Sequence, residues 1–411
     1  MKTRSHPPQH GRTLEVFVSD RRVGVLSESP ETGLMDFDYE AEVDPDFAVS
    51  LTMPVVAGRG AYHEFNGLPP PFEVCLPEGL LLDLIRARFA KHVEIDDDLS
   101  LLRLVGRHTV GRVTFGGPLA LDEELDARIL EAARSDRSAQ ALLDILSTLP
   151  ERFGISGVMP KMSGGPGQTR PGTLVREKFI VKFDTHQYAG ASLVEHACLQ
   201  ACERAGLNGA HSTLAPDARS IRVRRFDLAE DGTRLGFEDA CALSGLRRTG
   251  KYSGSVEHLV RMIRHYGDPD HQREDLETLL RAVVMNDVLR NGDAHLKNFG
   301  LLYGCVERAR LAPIYDVLTT QTWLPRDTPA LSLRMSDEEK RWLDKAGMEA
   351  LVDLTGLWEI DVGRIRDEMA EIAVSTMQAI AEDHPPDAGP HACALHKAIA
   401  VVERAAASAR P

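Results

Sequence analysis

The chain has 411 residues, of which 43% are hydrophobic and 27% are charged. This is the composition of an ordinary globular protein, with room for two or three domains or for one large two-lobed fold. No apolar run approaches the roughly 18 to 20 residues that span a bilayer, so no membrane association is expected. The formal net charge of −14 argues against broad nucleic-acid binding by the chain alone, although a basic partner could still bring it to DNA.

The six cysteines are scattered and form no C-x-x-C pair, which predicts reduced thiols in a cytoplasmic protein. Cys198 and Cys202 lie one helical turn apart. They either share a metal or lie together on the apolar face of one helix, and the second interpretation is favoured. Residues 1–11 contain no apolar core and are expected to form a disordered tail rather than a secretory signal.

Residues 12–120 have the pattern of a β-rich domain. Residues 14–18 alternate in polarity, and after a short turn residues 23–26 return, which predicts a hairpin. Two further strands are expected, one at residues 39–43 and one at residues 48–51.

Proline and glycine mark the boundaries in the next part of the chain. Residues 69–71 are three prolines and predict a rigid, non-helical bend. Helices are expected at about residues 77–90 and 99–105, the second ended by Gly106. Residues 121–150 are polar with helical periodicity and predict a helical connector.

From residue 151 the character of the chain changes. A Gly- and Ser-rich loop is followed by a strand at residues 178–183, an amphipathic helix at residues 192–205 with Gly206 as its stop, and a strand at residues 221–227. Helices are then expected at residues 256–266, 271–290, 337–355, 361–382 and 391–408. A β-rich first part before a helical second part predicts an α+β fold with the two lobes of a kinase.

Three polar residues near the end of a long helical pattern are the main candidates for chemistry. Asp293 is followed by Asn298 five residues later and by Asp316 beyond a short hairpin. In phosphoryl transfer, one carboxylate orients the attacking hydroxyl and accepts its proton. An amide oxygen and a second carboxylate hold the Mg²⁺ that bridges the ATP phosphates. The alternative is that Asn-Gly-Asp is an ordinary turn tripeptide.

Lys182 lies in a strand with apolar neighbours, where burial is costly unless an anion meets the ammonium group. It is predicted to hold the ATP phosphates, although alternation also permits it to face solvent. Glu195 either pairs with Lys182 or completes an S-x-x-E capping box with Ser192. The backbone N–H groups around Gly157, together with Lys161, are able to cradle phosphates.

These segments together resemble the HipA family, serine/threonine protein kinases that are the toxins of type II toxin–antitoxin systems. The similarity covers nearly the whole chain. Its motifs are Leu-Leu-x-x-x-Gly-x-x-x-x-Gly at 101–111, Ser-Gly-x-x-x-Lys at 156–161, the strand lysine Lys182, Arg-Phe-Asp at 225–227, Asn-x-Asp-x-His-x-Lys-Asn at 291–298 and Pro-x-Tyr-Asp at 313–316.

The resemblance implies a two-lobed protein-kinase-like (HipA-like) fold with a β-rich N-terminal subdomain and a mainly helical C-terminal lobe. Residues 12–120 would be the family's N-terminal subdomain, and residues 121–150 a connector. Residues 151–226 would complete the N-lobe, and residues 227–411 would form the C-lobe.

The resemblance also assigns roles, with Asp293 as the catalytic base and Asn298 and Asp316 as the Mg²⁺ ligands. The remaining residues would contact ATP: Ser156, Gly157, Val158, Met159, Pro160, Lys161 and Lys182 at the phosphates, His295, Lys297, Asn298, Tyr315 and Asp316 along the nucleotide, and Arg224, Arg225 and Phe226 as the hinge at the adenine. Taken alone, His295 would be a structural histidine and Lys297 a solvated lysine.

In the family, a serine of the phosphate loop is autophosphorylated, which ejects the loop and switches the kinase off. The added charge would repel the ATP phosphates. Some members carry this serine three residues before the loop glycine, where this chain has Gly154. Ser156 is therefore the candidate for autophosphorylation, and the equal alternative is a turn serine that bonds its own backbone.

The function implied is transfer of the ATP γ-phosphate to a serine of a cellular protein, with an aminoacyl-tRNA synthetase as one target class, and growth arrest as the result. The implied partner is a HipB-type DNA-binding antitoxin, through which the chain would reach DNA only indirectly. Two alternatives use the same residues or none of them. One is a small-molecule phosphotransferase, and the other is a catalytically silent co-repressor bound to an antitoxin.

Overall fold

The computed structural model describes residues 12–56, 61–76, 97–106, 109–116, parts of 127–144, 172–175, 178–185, 188–337 and 339–407. The tail predicted at residues 1–11 and the helix predicted at 77–90 lie outside the described residues. The same holds for the phosphate loop with Ser156, Gly157, Val158, Met159, Pro160 and Lys161.

The N-terminal domain is a five-stranded antiparallel sheet in the order β4-β3-β2-β1-β5. The strands are β1 (Thr13–Val18), β2 (Arg21–Glu28), β3 (Met35–Tyr39), β4 (Tyr62–Phe65) and β5 (Val113–Phe115). The predicted hairpin is confirmed as β1 and β2. Phe72 forms the centre of the core, with its ring edge-on to Phe37 at 5.3 Å and to Phe115 at 5.2 Å.

Three predictions for this domain are wrong. Residues 48–51 form no strand, because the Tyr39 hydroxyl binds their backbone: it accepts from the Val49 N–H at 2.8 Å and donates to the Met53 carbonyl. The strand expected at 39–43 ends at Tyr39. The triple proline begins helix α1 (Pro70–Glu73) instead of a bend, since proline suits the first helical turn, where no N–H donor is needed.

Helix α2 (Asp98–Val105) ends at Gly106 as predicted. It begins where the Asp97 carboxylate accepts from the Ser100 N–H at 2.8 Å, an ordinary N-cap. Its leucines Leu101 and Leu102 are fully buried under the sheet. The helix thereby closes the open face of the N-terminal sheet.

A second antiparallel sheet, in the order β6-β7-β9-β8, carries the predicted ATP lysine. Its strands are β6 (Gly172–Val175), β7 (Phe179–Phe183), β8 (Ser212–Leu214) and β9 (Ser220–Arg224). Helix α3 (Ala191–Arg204) packs on β8 and β9. It is followed by Gly206 in the left-handed region at φ 75°.

Cys198 and Cys202 are fully buried on the apolar face of α3, as favoured from the sequence. Burial raises the pKa of the Cys198 thiol to about 12. All six cysteines are free thiols. Within the described part of the chain, no group of three His, Cys, Asp or Glu residues is arranged to hold a metal. Cys198 and Cys202 therefore pack as small side chains in the core of the lobe.

The C-terminal lobe contains one small sheet, in the order β10-β11-β12, among helices. The strands are β10 (Gly236–Asp239), β11 (Gly300–Tyr303) and β12 (Arg310–Leu311). The helices are α4 (Ala240–Leu243), α5 (Val256–Tyr266), α6 (Gln272–Val288), α7 (Lys345–Thr355), α8 (Val362–Glu382) and α9 (Pro390–Ala407). Helix α8 packs against α3, α6 and α9 and forms the centre of the lobe.

Helix α7 is shorter than the predicted 337–355. It begins at Lys345 because the Asp344 carboxylate accepts from the Gly347 N–H at 2.8 Å and fixes the N-terminus there. The residues before it form a loop over α5 and α6. Within the described residues, no helix is both long and apolar enough to cross a membrane.

Buried polar contacts join the N-terminal domain to the rest of the chain. The Glu238 carboxylate of β10 accepts from the Leu51 N–H at 2.8 Å and from the Ser50 hydroxyl. The Asp227 carboxylate accepts from the Gly111 N–H at 2.7 Å. These contacts hold the N-terminal sheet beside the lobe that carries the candidate site.

Candidate active site

The segment that carries Asp293 leaves the end of α6 through a tight turn. Arg290 adopts the left-handed conformation at φ 53°. The Thr320 hydroxyl accepts from the Gly292 N–H at 2.8 Å and contacts the Asp327 carboxylate at 2.6 Å. A Cβ atom on Gly292 would lie only 2.1 Å from Asp327 Oδ2. The Asn-Gly-Asp sequence is therefore a turn, but one that the tertiary contacts of Thr320 and Asp327 hold in place.

Asp293 is half-buried, and its carboxylate is held by a residue that the sequence did not suggest. The Tyr252 hydroxyl donates to Asp293 Oδ1 at 2.6 Å. On the backbone side, the Asp293 N–H donates to Asn291 Oδ1 at 3.3 Å, and Asn291 donates to Asn286 Oδ1 at 2.7 Å. The phenol thus orients the carboxylate, and the two asparagines hold the backbone that carries it.

Four of the other side chains form a continuous row of hydrogen bonds. Lys182 Nζ donates to Glu195 Oε1 and to Asp316 Oδ1, each at 2.6 Å. Asn298 Nδ2 donates to Asp316 Oδ2 at 2.7 Å. The sequence predicted Lys182, Asn298 and Asp316 for one site, and the fold brings them together.

Exposure increases along this row from the interior to the solvent. The side chain of Glu195 is 7% exposed, that of Lys182 15% and that of Asp316 46%. Burial disfavours the charged ammonium, but the carboxylates of Asp316 and Glu195 outweigh this and raise the pKa of Lys182. Burial raises the pKa of Glu195, which Lys182 only partly offsets. Lys182 is therefore a cation held in place between the buried Glu195 and the exposed Asp316.

The two alternatives for Glu195 are now decided in favour of the ion pair. Ser192 lies inside α3, whose N-cap is Gly190, so Ser192 and Glu195 form no capping box. The Asp184 carboxylate instead accepts from the Gly190 N–H at 2.6 Å and from the Ser192 N–H at 2.9 Å. Asp184 lies between the end of β7 and the start of α3. An acidic residue just before a helix was the sequence signal for this cap.

The predicted nucleotide residues around Tyr315 form an aromatic group that includes one unexpected ring. Phe226 lies 5.4 Å from Tyr315 and 5.4 Å from Phe237. The Tyr315 hydroxyl donates to the Lys297 carbonyl at 2.6 Å, and burial raises the pKa of this phenol well above its usual value. Phe237, which lies in β10, contributes a further ring to this group. The sequence analysis did not predict this strand.

Lys297 and His295 lie on the same segment but face different neighbours. Lys297 Nζ lies 3.5 Å from the buried Asp239 carboxylate, so it is not a solvated lysine. His295 is buried, and its ring is edge-on to Tyr252 at 5.1 Å between centroids. Its backbone N–H donates to Asn298 Oδ1 at 3.1 Å, which fixes the metal-ligand candidate relative to Asp293.

The hinge residues differ from one another in what their side chains do. Arg224 is exposed. Arg225 is buried: its Nε donates to Asp227 at 2.9 Å, and its Nη2 donates to the Thr109 carbonyl at 3.0 Å. The Arg225 side chain therefore joins this segment to the N-terminal domain, and the Arg225 N–H donates to the Lys178 carbonyl at 3.1 Å.

The donor set fits Mg²⁺ in the presence of phosphate rather than a metal held by protein alone. Asn298 and Asp316 each carry a hard oxygen donor, and the two side chains are adjacent because Asn298 Nδ2 donates to Asp316 Oδ2 at 2.7 Å. Mg²⁺ is commonly bound by one or two carboxylates together with substrate phosphates and water. One buried donor, Asn298, beside one exposed donor, Asp316, meets that requirement.

Comparisons with known proteins agree with this arrangement. The HipA-like C-terminal domain model matches residues 153–383, and the HipA N-terminal domain model matches residues 14–116. Two curated relatives come from Sinorhizobium fredii (strain NBRC 101917 / NGR234). "Putative kinase Y4dM" is 28% identical over 71% of this chain and 73% of its own length. "Putative kinase Y4mE" is 29% identical over 90% of this chain and 91% of its own length.

The fold has a solved counterpart in Shewanella oneidensis MR-1 HipA, from its complex with HipB and operator DNA. The TM-score is 0.68 at 19% identity, covering 95% of this chain and 97% of that chain. The match spans the N-terminal sheet, the second sheet and the helical lobe, so the chain has the two-lobed, kinase-like HipA fold. From the matches of both domain models, this chain belongs to the HipA family.

Proposed function

We propose that this protein is a serine/threonine protein kinase that transfers the γ-phosphate of Mg·ATP to a serine of a cellular protein. The observation that carries the proposal is the hydrogen-bonded row from Glu195 through Lys182 and Asp316 to Asn298. Through this row, the cation Lys182 contacts the metal-ligand candidate Asp316, which contacts the second candidate, Asn298. Asn298 lies on the same segment of chain as the candidate base Asp293. The curated relatives named as kinases support the same reading.

In this proposal, each side chain has one task. Lys182, held by Glu195, binds the α- and β-phosphates of ATP. Asn298 and Asp316 hold Mg²⁺, which neutralises charge on the β- and γ-phosphates when it is bound. Asp316 now accepts hydrogen bonds from Lys182 and Asn298, and it would hold the metal together with Asn298 when the metal is bound.

Asp293 accepts the proton of the attacking serine hydroxyl. The new bond forms between that oxygen and the γ-phosphorus, while the bond from the γ-phosphorus to the bridging oxygen breaks and ADP leaves. Because the transition state of phosphoryl transfer is loose, most of the catalytic effect comes from positioning and charge rather than from strong base strength. The oriented carboxylate of Asp293 suits this requirement.

The site is tested by comparing wild type with Asp293→Ala in the presence of labelled ATP, Mg²⁺ and cell lysate. We expect wild type to label itself or a lysate protein on serine and the variant to label neither, as read by intact mass and phosphopeptide mapping. The peptides also test whether Ser156 is autophosphorylated. Labelling of a metabolite alone, by wild type alone, would contradict the protein substrate and favour a small-molecule phosphotransferase.

Binding of nucleotide is tested separately by thermal unfolding. At a hundredfold excess over its dissociation constant, Mg·ATP is expected to stabilise wild type by about 2 to 3 kcal/mol. Lys182→Met should lose most of this stabilisation. A wild type that gains none, when its intact mass excludes prior phosphorylation, would contradict catalysis and leave a co-repressor role.

We also propose a HipB-type DNA-binding antitoxin as partner, with growth arrest as the outcome when it is absent. The solved HipA counterpart was crystallised with HipB and operator DNA. The net charge of −14 suits a protein that reaches DNA through a basic partner. Expression of wild type and Asp293→Ala in the cytoplasm of a host, with and without the adjacent gene product, tests both toxicity and neutralisation.

A further inference from the structure

We infer that Tyr252 is a positioning residue for Asp293 and sets the direction from which the acceptor hydroxyl is deprotonated. The inference rests on the proposed kinase function and adds a residue that lies outside the family motifs described above. Tyr252 Oη donates to Asp293 Oδ1 at 2.6 Å. A hydrogen bond to one carboxylate oxygen fixes the rotation of the group, and so the direction in which the Asp293 carboxylate meets a substrate.

The backbone around Tyr252 is attached to the same segment that it orients. The Lys251 carbonyl accepts from the Leu296 N–H at 3.2 Å. Gly254 lies so close to Leu296 that an added Cβ would be 2.5 Å from its Cδ1 atom. These contacts place the segment that carries the phenol directly on the segment that carries Asp293.

A second anchor comes from the loop on the other side of the site. Lys340 Nζ donates to the Tyr252 carbonyl at 2.7 Å and to the Ala330 carbonyl at 2.6 Å. The Tyr252 ring also packs edge-on against buried His295. A side chain fixed at its backbone and at its ring is able to hold a carboxylate with little loss of conformational entropy on each turnover.

The position of Tyr252 suits a residue that meets the acceptor as well. It is 37% exposed, and it belongs to the exposed large apolar side chains of the described residues. Asp293 is half-buried beneath it. A protein hydroxyl that approaches Asp293 therefore passes the phenol, which makes the hydroxyl of Tyr252 part of the geometry of transfer rather than of ATP binding.

The test uses the full chain and compares wild type with Tyr252→Phe and Tyr252→Ala. The probe is a synthetic peptide library with one serine acceptor and labelled Mg·ATP. Tyr252→Phe keeps the ring that packs on His295 and removes only the hydroxyl. We expect kcat to fall between about 10- and 100-fold, because small misplacements of a catalytic group cost that much. The KM for ATP and the Kd of Mg·ATP should stay within about twofold.

The variants separate positioning from a merely structural role. If the hydroxyl acts through Asp293, Phe and Ala impair kcat alike, and Tyr252→Phe causes no further loss in an Asp293→Ala background. A wild-type kcat in Tyr252→Phe with a defect only in Tyr252→Ala would overturn the inference. An equal rise in the KM for ATP would overturn it too, because it indicates nucleotide binding.

The outcomes also distinguish this inference from the proposed function. If wild type and Tyr252→Phe phosphorylate serine peptides equally well, the proposed kinase function stands and the positioning role of Tyr252 is wrong. A folded, unphosphorylated wild type that transfers phosphate to no peptide or lysate protein sinks both. The melting temperature of each variant, without ligand, identifies any that fails to fold, and Tyr252→Phe then carries the test alone.

Discussion

Gly292 lies between Asn291 and Asp293, where the chain passes close to Asp327 and Thr328. An added Cβ would be 2.1 Å from Asp327 Oδ2 and 2.8 Å from the Thr328 carbonyl oxygen. The second neighbour is backbone and cannot turn aside. The residue therefore allows the turn to sit against the loop that holds it.

Gly292→Ala is expected to lower the free energy of unfolding by about 2 kcal/mol through overpacking, and to reduce phosphate transfer because Asp293 is the next residue. Urea unfolding and peptide phosphorylation measure the two effects. Gly304→Ala is the matched control, since its Cβ would meet only Leu235 Cδ2 at 3.8 Å. Equal stability of the two variants would contradict the close contact at Gly292.

Single residues also show where prediction from sequence reached its limit. Asp293, Asn298 and Asp316 could be proposed from the sequence because they lie close together along the chain in a recognisable pattern. Tyr252 was not, because it lies 41 positions from the carboxylate it contacts. Arg225 was predicted as a hinge residue, but only the fold reveals that Asp227 and Thr109 occupy its side chain.

At the scale of elements, the start of α3 depends on one buried carboxylate. Asp184 accepts from two N–H groups of the first helical turn. Burial raises its pKa from 3.8 to about 6, against the opposing effect of these hydrogen bonds. The folded protein therefore binds a proton that the unfolded chain releases between these two pH values.

Because the folded pKa is raised, the stability from Asp184 is present below about pH 4 and is lost as the pH rises through about 6. Relative to Asp184→Asn, wild type should lose up to about 3 kcal/mol of unfolding free energy between pH 4 and pH 7. Urea unfolding of both proteins across this range measures the difference. A difference that does not change with pH would contradict the raised pKa.

Helices of the C-terminal lobe are joined through the buried Asp287 carboxylate, which pairs with Arg366 and, at 2.9 Å, with Arg290. Arg366 of α8 is 2% exposed, and its Nε donates to Asp287 of α6 at 3.0 Å. Its Nη2 donates to the Ala405 carbonyl of α9 at 3.3 Å. Asp287 also accepts from the Leu343 N–H at 2.8 Å. This pair connects the end of α6, and so the segment with Asp293, to two packing helices.

Arg366→Met is expected to destabilise the protein by about 3 kcal/mol, because it leaves the Asp287 carboxylate buried with fewer partners. Chemical unfolding measures the change. Arg364→Met on the same helix is the control: its pair with Glu368 is exposed, so its loss should cost below about 0.5 kcal/mol. Similar losses of unfolding free energy in the two variants would show that the buried pair does not stabilise the packing of these helices.

At the scale of the whole molecule, Glu238 joins the N-terminal domain to the lobe that carries the candidate site. Its carboxylate accepts from Ser50 and Leu51 on one side and from the Tyr303 hydroxyl at 2.6 Å on the other. It is 4% exposed. One side chain thus satisfies donors from both parts of the chain.

Glu238→Ala leaves those buried donors without their acceptor and is expected to cost about 3 kcal/mol. Since the loss lies between the domains, calorimetry should resolve two unfolding transitions where wild type has one. Glu40→Ala removes a carboxylate that is 41% exposed and serves as the control. A single transition, unchanged in position, would argue that Glu238 does not couple the domains.

The family and the α+β lobes were predictable from the sequence, and so were the candidate residues for the proposed chemistry. These depend on local patterns: the alternation of β1, the periodicity of α5 and α8, and the fixed spacing from Asp293 to Asp316. Such patterns act over a few residues to a few turns, so they can be read along the chain.

The contacts that hold those residues became visible with the fold. Asp184, rather than Glu195, binds the start of α3, and Glu195 pairs with Lys182. Lys182 also contacts Asp316, which lies 134 positions away in the chain. Tyr252 reaches Asp293, and Glu238 reaches Ser50, by contacts of the same long-range kind. Hydrogen bonds between distant segments depend on how whole elements pack, which no local pattern encodes.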